Sequence, residues 1–290
     1  MLLHDSKAHK NAKAGADVQA DTQVQAQGGE GHARALSTIT RESFIYLGAG
    51  STVILQLANP GVGHGVADHS TTLIRPVDRL RTTMTYIYAV TLGTEEERKT
   101  IVRMVNKAHV PVRSETYNAF DPELQLWVAA TLYYGAADLY ERFYGPMDDE
   151  FADRVYRDAA IYGTALQVPE DMWPADRKAF REYWDHQVAT LEIDDKIRHY
   201  VRDLLRGGQA PAPMRAMMGA NRFITIGLLP DRFRQELELP WTERDQRRFD
   251  RLMKVLPAAY KRLPRPLREA PARYYLRDMR RRLAAHRHVI

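Results

Sequence analysis

The sequence predicts an all-α fold, and three observations predict it. Apolar residues recur at three- and four-residue intervals from Ser43 onward, these segments are bounded by helix caps and prolines, and no alternating run longer than about four residues offers a strand. No fixed-length repeat divides the 290 residues and no Pro/Ser-rich linker interrupts the middle, so one core of several packed helices is expected.

Taken in order, residues 1–36 are rich in Ala, Gln, Gly, Lys and His. Beyond Leu2 and Leu3 they carry almost no large apolar side chain, too little to offset the entropy of ordering, and are expected to form a disordered tail. His4, His9 and His32 are scattered through it and need no metal. Residues 37–290 are expected to form a single helical domain. Ser43 to Ala58 reads as one buried helix that ends at Asn59-Pro60; it is shorter than the roughly 20 residues a membrane span needs.

Pro76 suits a first helical turn, Leu80, Met84, Ile87 and Val90 keep helical spacing, and Gly93 ends the segment. Thr94 and Glu97 then form a capping box that opens a helix running to Val110, where Pro111 stops it. Further helices are expected at Pro122 to Arg142, Asp148 to Leu166, Asp176 to Leu191, Asp194 to Leu205, Pro213 to Leu228, Arg232 to Leu237, Thr242 to Leu256 and Pro271 to His286.

Composition excludes several chemistries. With no cysteine the chain has no disulfide, zinc-thiolate site, iron–sulfur cluster or cysteine nucleophile. The N-terminus has neither an apolar secretory core nor a twin arginine, so a cytoplasmic protein is expected. The net charge of +5 is uneven: Trp241 to Ile290 holds 15 Lys and Arg against 5 Asp and Glu. Such a basic C-terminus suits peripheral contact with an acidic membrane, although solvated arginines are the plainer reading. No aromatic platform interleaves the arginines as single-strand binding would want, and no nucleic-acid partner is expected.

Two glycine clusters invite nucleotide binding and fail. Gly48-Ala-Gly50 has Val53 at the third-glycine position with no strand–helix–strand alternation, and Gly61, Gly63 and Gly65 lack a P-loop lysine, leaving close helix packing or a turn as their use. His64 and Asp68 share a helix face and suit a structural hydrogen-bonded pair better than a metal, while His69 points elsewhere. A di-iron carboxylate bundle would want two Glu-x-x-His motifs, and there are none.

His109 follows Ile101 and Val105 at four-residue intervals, which places its imidazole on the apolar stripe of its helix. From spacing alone it is a core histidine donating to a carbonyl or complementing the helix C-terminus, with iron or zinc ligation the sharper alternative. Arg79, Thr83 and Tyr86 share a face of the preceding helix, for which a surface arginine beside a threonine is the plain reading.

A longer series carries more. Leu55-Gln-Leu-Ala-Asn-Pro60-Gly-Val-Gly-His64-Gly-Val-Ala-Asp-His69-Ser is followed by Pro76-Val-Asp-Arg79-Leu-Arg-Thr-Thr83, Tyr86-Ile-Tyr-Ala-Val, Gly93 and Met104-Val-Asn-Lys-Ala-His109. Then come Tyr117-Asn-Ala-Phe-Asp121-Pro-Glu-Leu-Gln-Leu-Trp127-Val, Tyr140-Glu-Arg-Phe, Phe180-Arg-Glu-Tyr-Trp184, Leu228-Leu-Pro230-Asp-Arg-Phe-Arg234 and Pro240-Trp241.

Over about residues 40–260 this ordered set resembles the family of MpaB-type and rubber oxygenases. The resemblance implies a globin-like helical core holding haem b, with His109 at the position of the histidine that ligates the iron. It places Arg79 and Thr83 near the haem on the oxygen-binding side, with His69 a secondary candidate for the pocket. Dioxygen and a hydrophobic, isoprenoid or lipid-like small molecule would be the reactants. In rubber-cleaving members a lysine that can cap the iron precedes the threonine; here that position is Thr82, which puts lysine capping in doubt. The alternatives are a haem-binding sensor or carrier without turnover and a haem-free helical interaction module. Oligomeric state is left open.

Overall fold

The computed structural model describes residues 34–207 and 212–290, and among them the regular structure is helical, with one isolated antiparallel bridge between Arg113 and Asn118. The helices are α1 (Arg34–Thr40), α2 (Ala49–Leu57), α3 (Pro60–His69), α4 (Pro76–Leu92), α5 (Glu95–His109), α6 (Pro122–Tyr144), α7 (Asp149–Ala159) and α8 (Ile161–Thr164). They continue as α9 (Arg177–Thr190), α10 (Asp195–Arg206), α11 (Ala212–Gly227), α12 (Asp231–Glu236), α13 (Glu243–Tyr260), α14 (Arg265–Arg268) and α15 (Ala270–Ala284).

The expected tail falls almost wholly outside the described residues. At its edge the structure differs from expectation: α1 already begins at Arg34, and Ala35 and Leu36 are buried. The sequence conceals this because the helix is capped from afar. Asp158 of α7 accepts from the Ala35 and Leu36 amides at 2.7 and 3.1 Å, satisfying free donors at the helix start.

Helix α6 runs through the core. Its Trp127 indole donates to the Leu55 carbonyl of α2 at 2.9 Å, and Trp184 of α9 stacks on Trp127 and Tyr134 with centroids 5.3 and 3.9 Å away. These rings bury a large apolar area and fix the register of three helices at once. One continuous apolar cluster joins Leu36 of α1 to Met253 of α13.

Three element boundaries depart from the sequence reading. The run from Ser43 is a 3-10 turn over Ser43–Gly48 before α2. The segment expected from Asp148 to Leu166 breaks after α7, and Val168 folds back on the small face of Gly163, where a Cβ would lie 2.9 Å from a Val168 methyl. The helix expected to end at Leu256 runs on to Tyr260 through Pro257.

The glycine-rich stretch after Asn59 is itself a helix. The Asn59 side chain caps the Gly61 and Val62 amides at 3.0 and 3.4 Å, and Pro60 occupies the first turn. Its glycines serve close packing: a Cβ on Gly63 would lie 2.5 Å from both the Leu57 carbonyl oxygen and the Ile197 side chain. This lets α10 press against α3.

Candidate functional site

Helices α4 and α5 form an antiparallel hairpin about Gly93 and Thr94. The predicted capping box is present, with the Glu97 amide donating to the Thr94 hydroxyl at 3.2 Å and the Thr94 amide to the Glu97 carboxylate at 2.8 Å. Arg79 and His109 stand at similar distances from this turn, so a hairpin of two straight helices sets them opposite one another. The Arg79 charge is felt at His109. Burial, and then the Arg79 guanidinium, hold the His109 imidazole below the usual histidine range, which keeps it neutral at pH 7.

His109 ends the apolar stripe that begins at the fully buried Ile101, and Phe120 meets its ring edge-on at 6.4 Å. Its Nδ1 is sealed from solvent without a partner, and no hydrogen bond reaches either ring nitrogen among the described residues. The expected carbonyl acceptor is therefore missing. A buried polar atom left in this condition costs roughly 1–3 kcal/mol, so the imidazole is arranged for something other than the protein's own hydrogen bonding.

Arg79 is also unpaired: among the described residues no carboxylate or carbonyl receives its guanidinium. Arg79 is exposed, as the plain reading of the sequence expects, although atoms crowded around its guanidinium lower its pKa, with Tyr200 opposing. Thr83 follows one turn later on the same face and is exposed, as are Ile74, Val77 and Val110, which give this end of the hairpin an apolar margin. Thr82 bonds back to the Arg79 carbonyl at 3.0 Å and brings no charge beside it. Tyr86, the third residue of the expected face, instead donates to the Tyr162 carbonyl at 2.8 Å and belongs to the core.

One participant escaped the sequence reading. Tyr200 of α10 is buried, and its hydroxyl has no partner in hydrogen-bonding geometry. Burial pushes its pKa up, while the nearby Thr72 and Ser70 hydroxyls and the Arg79 guanidinium pull the other way. Nothing in the local sequence marks it, because it arrives with α10 across the glycine face of α3.

His69 stands in a separate network, its Nε2 3.1 Å from the Tyr117 hydroxyl, which donates to Asp68 at 3.1 Å. Lys196 chiefly holds the Asp68 carboxyl below the usual range. The His64–Asp68 pair expected from their spacing is replaced by two links to the start of α10, His64 to Asp194 at 2.5 Å and Lys196 to Asp68 at 2.6 Å. The described residues contain no group of three or more His, Asp or Glu suited to a metal ion. A surface cavity of about 450 Å³ lies at the far end of α5, lined by Glu96, Glu97 and Leu283 among others; it includes neither Arg79 nor His109.

The donor types at this end of the hairpin are those a haem would use. A neutral imidazole without a protein partner is the right donor for iron, an unpaired guanidinium suits an anionic group, and the apolar margin suits a flat macrocycle. The buried Nδ1 departs from the pattern, since a ligating histidine usually donates from its second nitrogen to an acceptor.

The profile of the family described as the ER-bound oxygenase mpaB/B′/rubber oxygenase catalytic domain matches residues 37–258. Uncharacterised proteins of Mycobacterium bovis and of Mycobacterium tuberculosis are each 44% identical over 250 residues, covering 83% of this chain and 98% of the relative. No solved structure matches the chain.

Proposed function

We infer, from the premise that this chain belongs to the mpaB/rubber oxygenase catalytic-domain family, that it is a haem b-dependent oxygenase acting with dioxygen on a hydrophobic, isoprenoid or lipid-like small molecule. The observation that carries the reading is the His109 imidazole, held neutral on an apolar stripe and without a protein partner, opposite an unpaired Arg79.

When bound, haem supplies a redox-active iron able to activate dioxygen. His109 would hold that iron. Arg79 keeps a permanent positive charge opposite His109 and would stabilise negative charge that develops there, at no cost of reorganisation. The Thr83 hydroxyl offers a shorter-range donor one turn away, and the Tyr200 hydroxyl, near Thr72 and Ser70, a further one. Ile74, Val77 and Val110 give an apolar molecule a surface to lie against.

The test is dioxygen uptake by protein expressed with haem supplementation and offered apolar alkenes. Wild type should consume dioxygen and release oxidised product. Arg79→Ala and Thr83→Ala should retain haem yet turn over at least tenfold more slowly, the scale of one lost charge-stabilising donor being about 10²-fold. Reversible dioxygen binding without consumption would instead make the chain a carrier or sensor.

A further inference from the structure

Among the described residues the exposed large hydrophobic side chains fall in two places. Three lie at the open end of the α4–α5 hairpin, and four lie between Val255 and Tyr274: Val255 at 66%, Leu263 at 45%, Leu267 at 60% and Tyr274 at 63% exposure. The second group lies in a basic stretch of the chain. From Arg251 to Arg268 the chain carries six Lys and Arg and no acidic residue. Along α13, Arg251, Lys254, Val255 and Ala258 share one exposed face at helical spacing, and Lys261 to Leu267 are exposed without interruption.

This exposed loop is held firmly. Arg268 donates to the buried Glu42 at 2.9 Å and to the Tyr144 hydroxyl, and Tyr260 donates to Glu42 at 2.6 Å. Lys261 lies over the Tyr144 ring at 5.3 Å, and Arg273 of α15 donates to the Pro266 carbonyl. Pro264 and Pro266 stiffen the turn between these anchors. Leu263 and Leu267 are thus presented outward by a braced loop and cannot fold in to hide. Lys254 and Arg262 beside them have no partner among the described residues.

We propose that this surface docks the protein on anionic lipid bilayers, with Leu263 and Leu267 entering the headgroup region and Lys254, Lys261 and Arg262 facing the acidic lipids. Charge complementarity selects the partner class: Arg265 is compensated by Glu269 and Arg268 by Glu42, but Arg251, Lys254, Lys261 and Arg262 meet no carboxylate among the described residues and are attracted to the negative surface potential of such a membrane. The exposed leucines separate a bilayer from a nucleic acid, because a leucine gains by leaving water for the acyl boundary and gains nothing from a phosphate. No described helix is long and apolar enough to cross a membrane, and the proposed contact is a peripheral one. The inference stands apart from the haem reading and survives its failure.

Flotation of the full chain with phosphatidylcholine vesicles, with and without phosphatidylserine, tests it. Binding is expected only with phosphatidylserine and should weaken as salt rises. Lys254→Gln with Arg262→Gln should lower the partition coefficient roughly 25-fold, about fivefold per cation. Leu263→Ser with Leu267→Ser should lower it about tenfold or more, most visibly at raised salt. Arg181→Gln, an exposed arginine on α9, should change nothing, and far-UV circular dichroism with melting curves should show every variant folded. Failure to float with phosphatidylserine, indifference to the leucines, or tighter binding to oligonucleotides than to vesicles would each overturn the proposal.

Discussion

Arg79 and His109 face one another across the α4–α5 hairpin as a cation without a counter-ion and an imidazole without a hydrogen bond. Each makes the other's ordinary solution unavailable. A carboxylate beside Arg79 would draw a proton onto His109, and a protonated His109 would repel Arg79. Neutrality of the imidazole is therefore a joint property of the pair and of the apolar margin around it.

The first consequence is a shift in His109 titration. Arg79→Gln removes the nearby positive charge, so the imidazole pKa should rise toward the ordinary histidine value without reaching it, since burial remains the larger cause. Ring-proton resonances followed against pH in haem-free protein measure this. An unchanged midpoint would mean the two residues do not interact.

Stability should follow the same group. With its folded pKa below the unfolded value of about 6.5, His109 binds a proton more readily in the unfolded chain. The haem-free protein should then lose stability as pH falls below about 6.5 toward the folded pKa, and regain it as pH rises. His109→Gln should flatten the melting temperature between about pH 7 and 5 relative to wild type. A steeper dependence in the variant would reverse the sign argued here.

Glycine replacements separate packing from chain entropy. Gly63→Ala forces a methyl to within 2.5 Å of the Leu57 carbonyl oxygen, a backbone atom that cannot step aside, and should cost about 1–3 kcal/mol in denaturant unfolding. Gly219→Ala in α11 meets nothing within 4 Å and should stabilise by about 0.5–1 kcal/mol. Equal effects at the two sites would contradict the close α3–α10 approach.

Asp158→Ala should cost about 1–3 kcal/mol, because the Ala35 and Leu36 amides lose their common acceptor at a helix start. Amide exchange should quicken in α1 more than in α7. Uniform loss of protection would point to general destabilisation instead of a lost cap.

The hairpin was legible in the sequence. Pro76, the Leu80 to Val90 spacing, Gly93 and the Thr94–Glu97 box are local signals, and they define both helices that carry Arg79, Thr83 and His109. What stayed hidden arrives through packing between distant segments. Asn59 and Pro60 open a helix whose glycines leave close helix packing and a turn equally open in the sequence, because glycine is a poor helix former, and that same glycine content lets α10 deliver Tyr200. The His64–Asp68 expectation failed for a related reason. A four-residue spacing brings two side chains near each other, but the start of α10 offers Asp194 and Lys196 as stronger, oppositely charged partners.

The most direct test of the central claim is the absorption spectrum and haem content of wild type and His109→Ala, both expressed with haem supplementation. The wild type should show an intense Soret band at about one haem per chain, and the variant should lose that band or change its axial-ligand signature. A colourless wild type, or a variant with the same spectrum and loading, would contradict His109 as the iron's protein ligand.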